Sequence, residues 1–162
     1  MIIKKMLFMF FCLTALVING AEFNGVVKKV VDGDTIIVEE DDKSVVHTKD
    51  NVSIILRGTF TVRLADIDAP ELTQKFGEDA KTHLQILVDS RNVCVVYHQI
   101  DRYGRIIGTV YRTGFLNVKD NVSINEIMIK NGYAWWFAEY SKKYQFSILE
   151  LEAKEFKNGI WS

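Results

Sequence analysis

A chain of 162 residues with 48% apolar content and a single proline is long enough to bury one core and too short for two domains of ordinary size. The formal net charge is −1. Without Lys4 and Lys5, which belong to a leader, 18 basic residues face 21 acidic ones, a balance near −3. An overall basic field that would attract nucleic acid is therefore excluded, and any phosphate binding has to be local.

Lys4 and Lys5 precede an uncharged run from Met6 to Ile18, and the small residues Gly20 and Ala21 follow. That order predicts a signal peptide over residues 1–21, cleaved after Gly20 or Ala21, and a mature domain over 22–162. The run is roughly 13 residues, against about 20 for a membrane-spanning helix. The expected destination is secretion or the periplasm, with no stable membrane insertion once the leader is gone. Cys12 leaves with the leader. Cys94 is then a lone cysteine in the apolar run Val93-Cys94-Val95-Val96 and reads as a small buried hydrophobe, with no intramolecular disulfide.

Val26 to Val31 and Thr35 to Glu39 are β-branched runs around Asp32-Gly33-Asp34 and predict a tightly turned pair of strands. A polar excursion between Glu40 and Gly58 contains Val45-Val46 and Val52 to Leu56, which predicts a hairpin insertion. Thr59 to Ile67 alternates as a third strand, with Phe60, Val62 and Leu64 on one face and Arg63 on the other. Glu78 to Val88 carries Ala80, Leu84, Leu87 and Val88 at helical spacing. Val93 to Gln99 and Arg105 to Arg112 predict two more strands. Ser123-Ile124-Asn125-Glu126 is a capping box that opens a second helix, stopped at Gly132. A third helix is expected near Gln145 to Lys157, with Phe146, Leu149, Ala153 and Phe156 on its inner stripe. Three strands, a helix, two strands and then helices predict an α+β fold that is mainly β: a five-stranded Greek-key OB-fold barrel with three packed α-helices.

Three clusters could carry chemistry. Arg63-Leu64-Ala65-Asp66-Ile67-Asp68-Ala69-Pro70-Glu71 puts a fixed cation and three acids where the third strand meets a proline and must end. Val31-Asp32-Gly33-Asp34-Thr35 is by itself an ordinary hairpin turn. Asp101-Arg102-Tyr103-Gly104-Arg105 is a turn with two guanidinium groups and a phenol. His47, His83 and His98 are scattered and no cysteine pair accompanies them, so no zinc site is expected. Trp135 and Trp136 read as core plugs rather than base-stacking platforms.

In this order, and on these strand ends, the three clusters resemble the staphylococcal nuclease family from about Val26 to Trp161. The Gly132-Tyr133-Ala134-Trp135 segment and the closing Asn158-Gly159-Ile160-Trp161 add to the likeness. The resemblance implies a calcium-dependent phosphodiesterase that cuts single-stranded or melted DNA and RNA to 3′-phosphate products, with a monomer as the expected state. Carried over residue by residue, it makes Asp34, Asp68 and the backbone carbonyl of Ala69 ligands of Ca2+, and Glu71 the general base. Arg63 and Arg105 become the phosphate-binding arginines, Tyr103 lines the nucleotide site, and Tyr140 is the candidate for a tyrosine beyond the second helix that holds a terminal phosphate. Two departures bear on substrate preference: the insertion over Asp41 to Gly58 and a short loop after Glu71.

Elementary electrostatics agrees with that set. If Asp34, Asp68 and Glu71 lie within about 5 Å of one another, each pair repels by roughly 3 kcal/mol at an effective dielectric near 20, so a hard cation is called for. Two other classes compete. A non-catalytic OB-fold module that binds nucleic acid or a partner has no use for three carboxylates beside a phosphate site. An extracellular domain that binds sugars or a surface partner predicts instead that Arg63 and Arg105 face different sides.

Overall fold

The computed structural model describes residues 21–41, 44–47, 53–56, 58–114 and 119–162. All of the expected signal peptide up to residue 20 lies outside the described residues, as do parts of the insertion and the side chains of His47 and His98.

The first strand, β1 (Ala21–Val30), holds the barrel together because it pairs along both edges. Its first half runs antiparallel to β7 (Asn92–Ile100), from Ala21 opposite Tyr97 to Val26 opposite Asn92. Its second half runs antiparallel to β2 (Thr35–Glu40), with a bulge between Val27 and Lys29. β1 begins at Ala21, well before the expected Val26. Gly25 is the point where both neighbours close in, and a Cβ there would lie 2.7 Å from Val38 Cγ1. Phe23, Gly25 and Val27 alternate inward, which fixes which face lines the barrel.

The insertion forms its own hairpin, β3 (Ser44–His47) with β4 (Ser53–Leu56). β5 (Thr59–Leu64) then pairs antiparallel with β2 and parallel with β8 (Ile106–Arg112), and β8 pairs antiparallel with β7. The closed order β1-β2-β5-β8-β7 is the expected five-stranded barrel. Ile36, Val38, Val62, Leu64, Val95, Ile106 and Val110 fill it, all at most 2% exposed.

The third strand is shorter than its alternation predicts. It stops at Leu64, and the chain turns through Ala65-Asp66 with Asp66 in the left-handed region, φ 67°. Aspartate tolerates that conformation better than most residues. The turn moves the chain out of the barrel into β6 (Ile67–Asp68), which pairs with β9 (Trp135–Trp136). The two tryptophans are therefore half-buried strand residues, and Trp136 packs on the core.

Three helices cover the barrel. In α1 (Gly77–Val88), Ala80, Leu84 and Val88 are fully buried. In α2 (Ile124–Lys130), both halves of the expected capping box form between Ser123 and Glu126. In α3 (Gln145–Glu155), Phe146 and Ala153 face inward with Leu149 packed alongside, but Phe156 is 73% exposed. The helix has ended by that point: Asn158 N–H closes back on Ala153 O and Lys157 takes φ 53°, so Phe156 leaves the stripe. A last 3-10 turn, Gly159–Trp161, ties to the end of α2 through Ile160 N–H and Gly132 O. No helix among the described residues is long and apolar enough to cross a membrane.

Gly33 locks the first turn to the rest. A Cβ at this position would lie 2.6 Å from Ala69 Cβ and 2.8 Å from Ala80 Cβ, so the Asp32–Asp34 turn rests directly on the chain after β6 and on α1. Gly33→Ala is expected to destabilise the fold by about 1–3 kcal/mol through overpacking, measured by thermal unfolding. An unchanged midpoint would mean that the turn is not seated on α1.

Candidate active site

Asp34 opens β2 at the lip of the barrel and is 7% exposed. Its backbone N–H donates to Asp32 Oδ1 at 3.0 Å, which holds the turn. Its Oδ1 accepts the Thr35 hydroxyl at 3.0 Å, and its Oδ2 accepts Ala69 N–H at 3.1 Å across 35 residues of sequence. Burial pushes the carboxyl up from the ordinary 3.8 to about 6; Arg63 pulls it down and Asp32 pushes it up again, while the Ala69 and Thr35 donors favour the anion.

Arg63 stands on β5 directly opposite Thr35 of β2 and level with Ile107 of β8. Val62 and Leu64 on either side are fully buried, so alternation turns Arg63 outward, where it is partly covered. Its Nη2 lies 2.7 Å from Asp68 Oδ1 and 3.2 Å from Asp34 Oδ2. Its Nη1 donates to Ile67 O at 3.0 Å and more weakly to Leu64 O at 3.4 Å. A single guanidinium thus binds both aspartates and the backbone of the turn between β5 and β6.

Arg105 immediately precedes β8, two residues before Ile107, so the same alternation directs it to the face that carries Arg63. The reading in which the two arginines face different sides is not what the register gives. Asp101 organises that end of the hairpin. Its Oδ1 accepts the N–H groups of Tyr103 and Arg105 at 2.8 and 2.9 Å, and its Oδ2 takes Arg105 Nε at 2.7 Å. The terminal nitrogens of Arg105 have no hydrogen-bond partner among the described residues. Tyr103 is 68% exposed, and its ring lies 5.5 Å from the Arg105 guanidinium and 4.8 Å from that of Arg102.

Glu71 follows Pro70 onto an exposed turn in which its N–H donates to Gln74 Oε1 at 2.7 Å and its carbonyl accepts Gln74 N–H at 2.8 Å. Gly77, the first residue of α1, packs against the Glu71 backbone. The structure joins Asp34 and Asp68 through Arg63 and sets Glu71 at the next turn of chain. Among the described residues, no three His, Cys, Asp or Glu side chains form a group disposed to hold a metal. Tyr140 is 73% exposed and tilts against Phe137 at 4.6 Å between ring centroids. Phe137 N–H in turn donates to Asp66 O at 3.0 Å, which brings the Tyr140 segment to the same turn as Arg63 and Asp68.

Other contributors were invisible to sequence reasoning. Asn125 on α2 is completely buried: its Oδ1 accepts Val110 N–H at 3.0 Å, and its Nδ2 donates to Ala65 O at 2.8 Å and Gly108 O at 3.3 Å. It bolts α2 to β8 and to the end of β5. An asparagine inside a capping box reads as part of the cap; only the barrel wall facing it reveals its role. Lys143, Thr35, Asp32 and Asp101 are equally ordinary in sequence.

Comparison with known proteins finds relatives over most of this chain. Residues 61–162 match the family model described as staphylococcal nuclease homologue, a span that includes Arg63, Asp68, Ala69, Glu71, Tyr103, Arg105 and Tyr140 and starts after Asp34. An uncharacterized endonuclease of Escherichia coli is 35% identical over 142 residues, covering 88% of this chain and 79% of its own length. A micrococcal nuclease of Shigella flexneri is 36% identical, covering 88% of this chain and 75% of its own. A probable staphylococcal-like nuclease of Oryza sativa subsp. japonica is 33% identical over 108 residues, which are 67% of this chain and 27% of that longer protein.

The raised Asp34 carboxyl has a direct consequence for stability. A group held at about 6 in the folded chain and near 3.8 when unfolded binds its proton more tightly in the folded state. Its contribution therefore favours folding below pH 3.8 and is lost as pH rises through about 6. At neutral pH the folded protein bears a penalty of up to about 3 kcal/mol for this one group. Asp34→Asn removes both this titration and the Arg63 ion pair, so it is expected to flatten the stability profile of the metal-free protein between pH 4 and 6, read by thermal melts across that range. A variant that keeps the wild-type pH dependence there would contradict the assignment.

Proposed function

Because the chain belongs to the staphylococcal nuclease family and is therefore a nuclease, we propose that it hydrolyses phosphodiesters of DNA and RNA, single-stranded or locally melted, in a calcium-dependent reaction that leaves 3′-phosphate ends. The observation that carries this reading is the register of β5 with β8, which sets Arg63 and Arg105 on one outward face at the rim where Asp34 and Asp68 meet.

Two arginines on one face suit a phosphodiester, whose two non-bridging oxygens accept forked N–H pairs. Arg105 is held by its Nε to Asp101, which leaves its outer nitrogens to fork onto phosphate. Arg63 has its Nη groups on Asp34, Asp68 and the turn, so it engages phosphate from an anchored position. Glu71, exposed and on a turn braced by Gln74, is the base that takes a proton from the attacking water. The water oxygen bonds to phosphorus, the bond from phosphorus to the 5′ oxygen breaks, that oxygen takes a proton from solvent and leaves as a hydroxyl, and the phosphate stays on the 3′ side.

The donor set fits a hard cation. It is all oxygen and anionic, and Asp34 is a desolvated carboxylate whose ionisation a nearby positive charge would favour. The Oδ atoms of Asp34 and Asp68 that share Arg63 Nη2 are close to one another by that sharing alone. Ca2+ would be held by Asp34, Asp68 and the Ala69 carbonyl, and it would supply positive charge next to the scissile phosphate and lower the pKa of the attacking water. Tyr103 and Tyr140, both largely exposed at the rim, are the proposed nucleotide-contacting aromatics.

A leader of the expected kind supports export to the periplasm or medium, where calcium is abundant enough for a weak oxygen site. A monomer is the proposed state.

Plasmid nicking with calcium, with chelator and by Glu71→Gln tests the mechanism. Chelation is expected to abolish cleavage, and Glu71→Gln to reduce it by at least 10²-fold with the circular dichroism spectrum unchanged. Equal activity in all three would sink the mechanism. Arg63→Lys is expected to lose about 10² to 10³ in rate, since a lysine has one head where the arginine fork binds four acceptors. Near-normal cleavage by that variant would remove Arg63 from phosphate binding.

A further inference from the structure

The turn that ends β5 is held from outside by a residue no part of the proposed mechanism uses. Asp66 lies between Arg63 and Asp68, in the left-handed conformation at φ 67°. Its Oδ2 meets Lys143 Nζ at 3.0 Å, and its carbonyl accepts Phe137 N–H at 3.0 Å. The same ammonium donates to Thr109 Oγ1 at 3.1 Å and lies 5.2 Å from the ring of the buried Phe146. Thr109 is on β8, two residues beyond Ile107 and so on the outward face that Arg63 and Arg105 share. One amino group therefore joins the turn that spaces Arg63 from Asp68, the strand that carries Arg105, and the segment that presents Phe137 and Tyr140.

Two physical requirements meet there. Asp66 is, with Asp68, one of two carboxylates within five residues of Arg63, and its side chain is only 17% exposed. Left uncompensated it would be a partly desolvated negative charge that adds repulsion at an anionic rim. The contact is also geometric: a turn with a residue in the left-handed region keeps its shape only where its surroundings hold it, and here the Lys143 charge and the Phe137 N–H hold it, the ammonium itself being fixed by the Thr109 hydroxyl.

Resting on the nuclease reading above, we propose that Lys143 is a positioning residue for that reaction: through Asp66 and Thr109 it neutralises the β5–β6 turn and sets the spacing between Arg63, Asp68 and the Tyr140 wall of the substrate groove. It touches neither the proposed metal ligands nor Glu71. Its effect falls on how the groove receives the phosphodiester.

The test is a cycle of Lys143→Met, Asp66→Asn and the double variant, with Lys143→Arg as the conservative change. Cleavage of a single-stranded oligonucleotide is followed with calcium. Binding of a phosphorothioate analogue is followed separately by tryptophan fluorescence, since Trp135 and Trp136 pair directly with Asp68 and Ile67. Lys143→Met, which strands Asp66, is expected to lower kcat/KM about 10-fold and weaken analogue binding by a similar factor. The double variant, with neither charge, is expected to recover to within about threefold of wild type, and Lys143→Arg to stay near wild type; non-additivity of that kind marks a direct pair. A purely structural lysine would give losses that track the melting temperature and do not recover in the double variant, and that outcome overturns the proposal. So does wild-type cleavage and binding by Lys143→Met. Should Lys143→Met fail to fold, Asp66→Asn/Lys143→Met and Lys143→Arg still decide, because losses in both would exclude a charge-neutralising role. A wild-type protein inactive with calcium would instead overturn the nuclease mechanism, a result separable from any difference in analogue binding among the variants.

Discussion

The Arg63 guanidinium is the point on which the site and the barrel rim both depend. One planar group that cannot lose its proton binds two aspartates from different strand ends and two carbonyls of its own turn. Asp34 is nearly buried, so removing its partner would leave a desolvated charge, and breaking such pairs costs about 3–5 kcal/mol. The aspartates are useful only because the arginine holds them together. The arginine is outward and anchored only because Val62 and Leu64 on either side are committed to the core.

Everything near the rim acts to keep that fork in place. Gly33 lets the Asp32–Asp34 turn sit on Ala69 and Ala80, which brings Asp34 to the Ala69 N–H. Asn125 fastens α2 to Ala65 and Gly108, one on each of the two parallel segments that set the distance from Arg63 to Arg105. The parallel pairing itself follows from closure: among the five barrel strands, β1 is shared between β2 and β7, the edges left to join are those of β5 and β8, and joining them aligns the two arginine-bearing segments. Function at the rim is thus a consequence of how the barrel closes, a common property of sites placed on loops at strand ends.

Legibility in the sequence followed the range of the interaction. Strands that read as β-branched runs, such as Thr35–Glu40, and helices with a cap, such as Ser123 with Glu126, are local patterns and could be read directly. The upstream half of β1 could not, because Asn24-Gly25 has the composition of a turn and only two flanking strands make it extended. The strand through Arg63 was read too long because alternation continues past Leu64 in the letters, while Asp66 breaks it in φ. Phe156 fits the helical stripe by spacing but lies past the helix end, a boundary set where Lys157 turns left-handed and Asn158 N–H closes on Ala153 O.

The sequence by itself determined the class of chain, the barrel with its helices, the outward direction of Arg63 and the family, because these rest on periodicity and on short motifs whose residues are neighbours. Only the tertiary structure decided that Asp34 and Asp68 share one guanidinium, that Arg63 and Arg105 lie on one face, that Asn125 is a bolt and that Lys143 reaches Asp66. Each of those contacts joins segments between 29 and 77 residues apart or depends on strand register. Nothing in the spacing of letters encodes such a distance: it exists only once the chain has paid the entropy of closing the barrel.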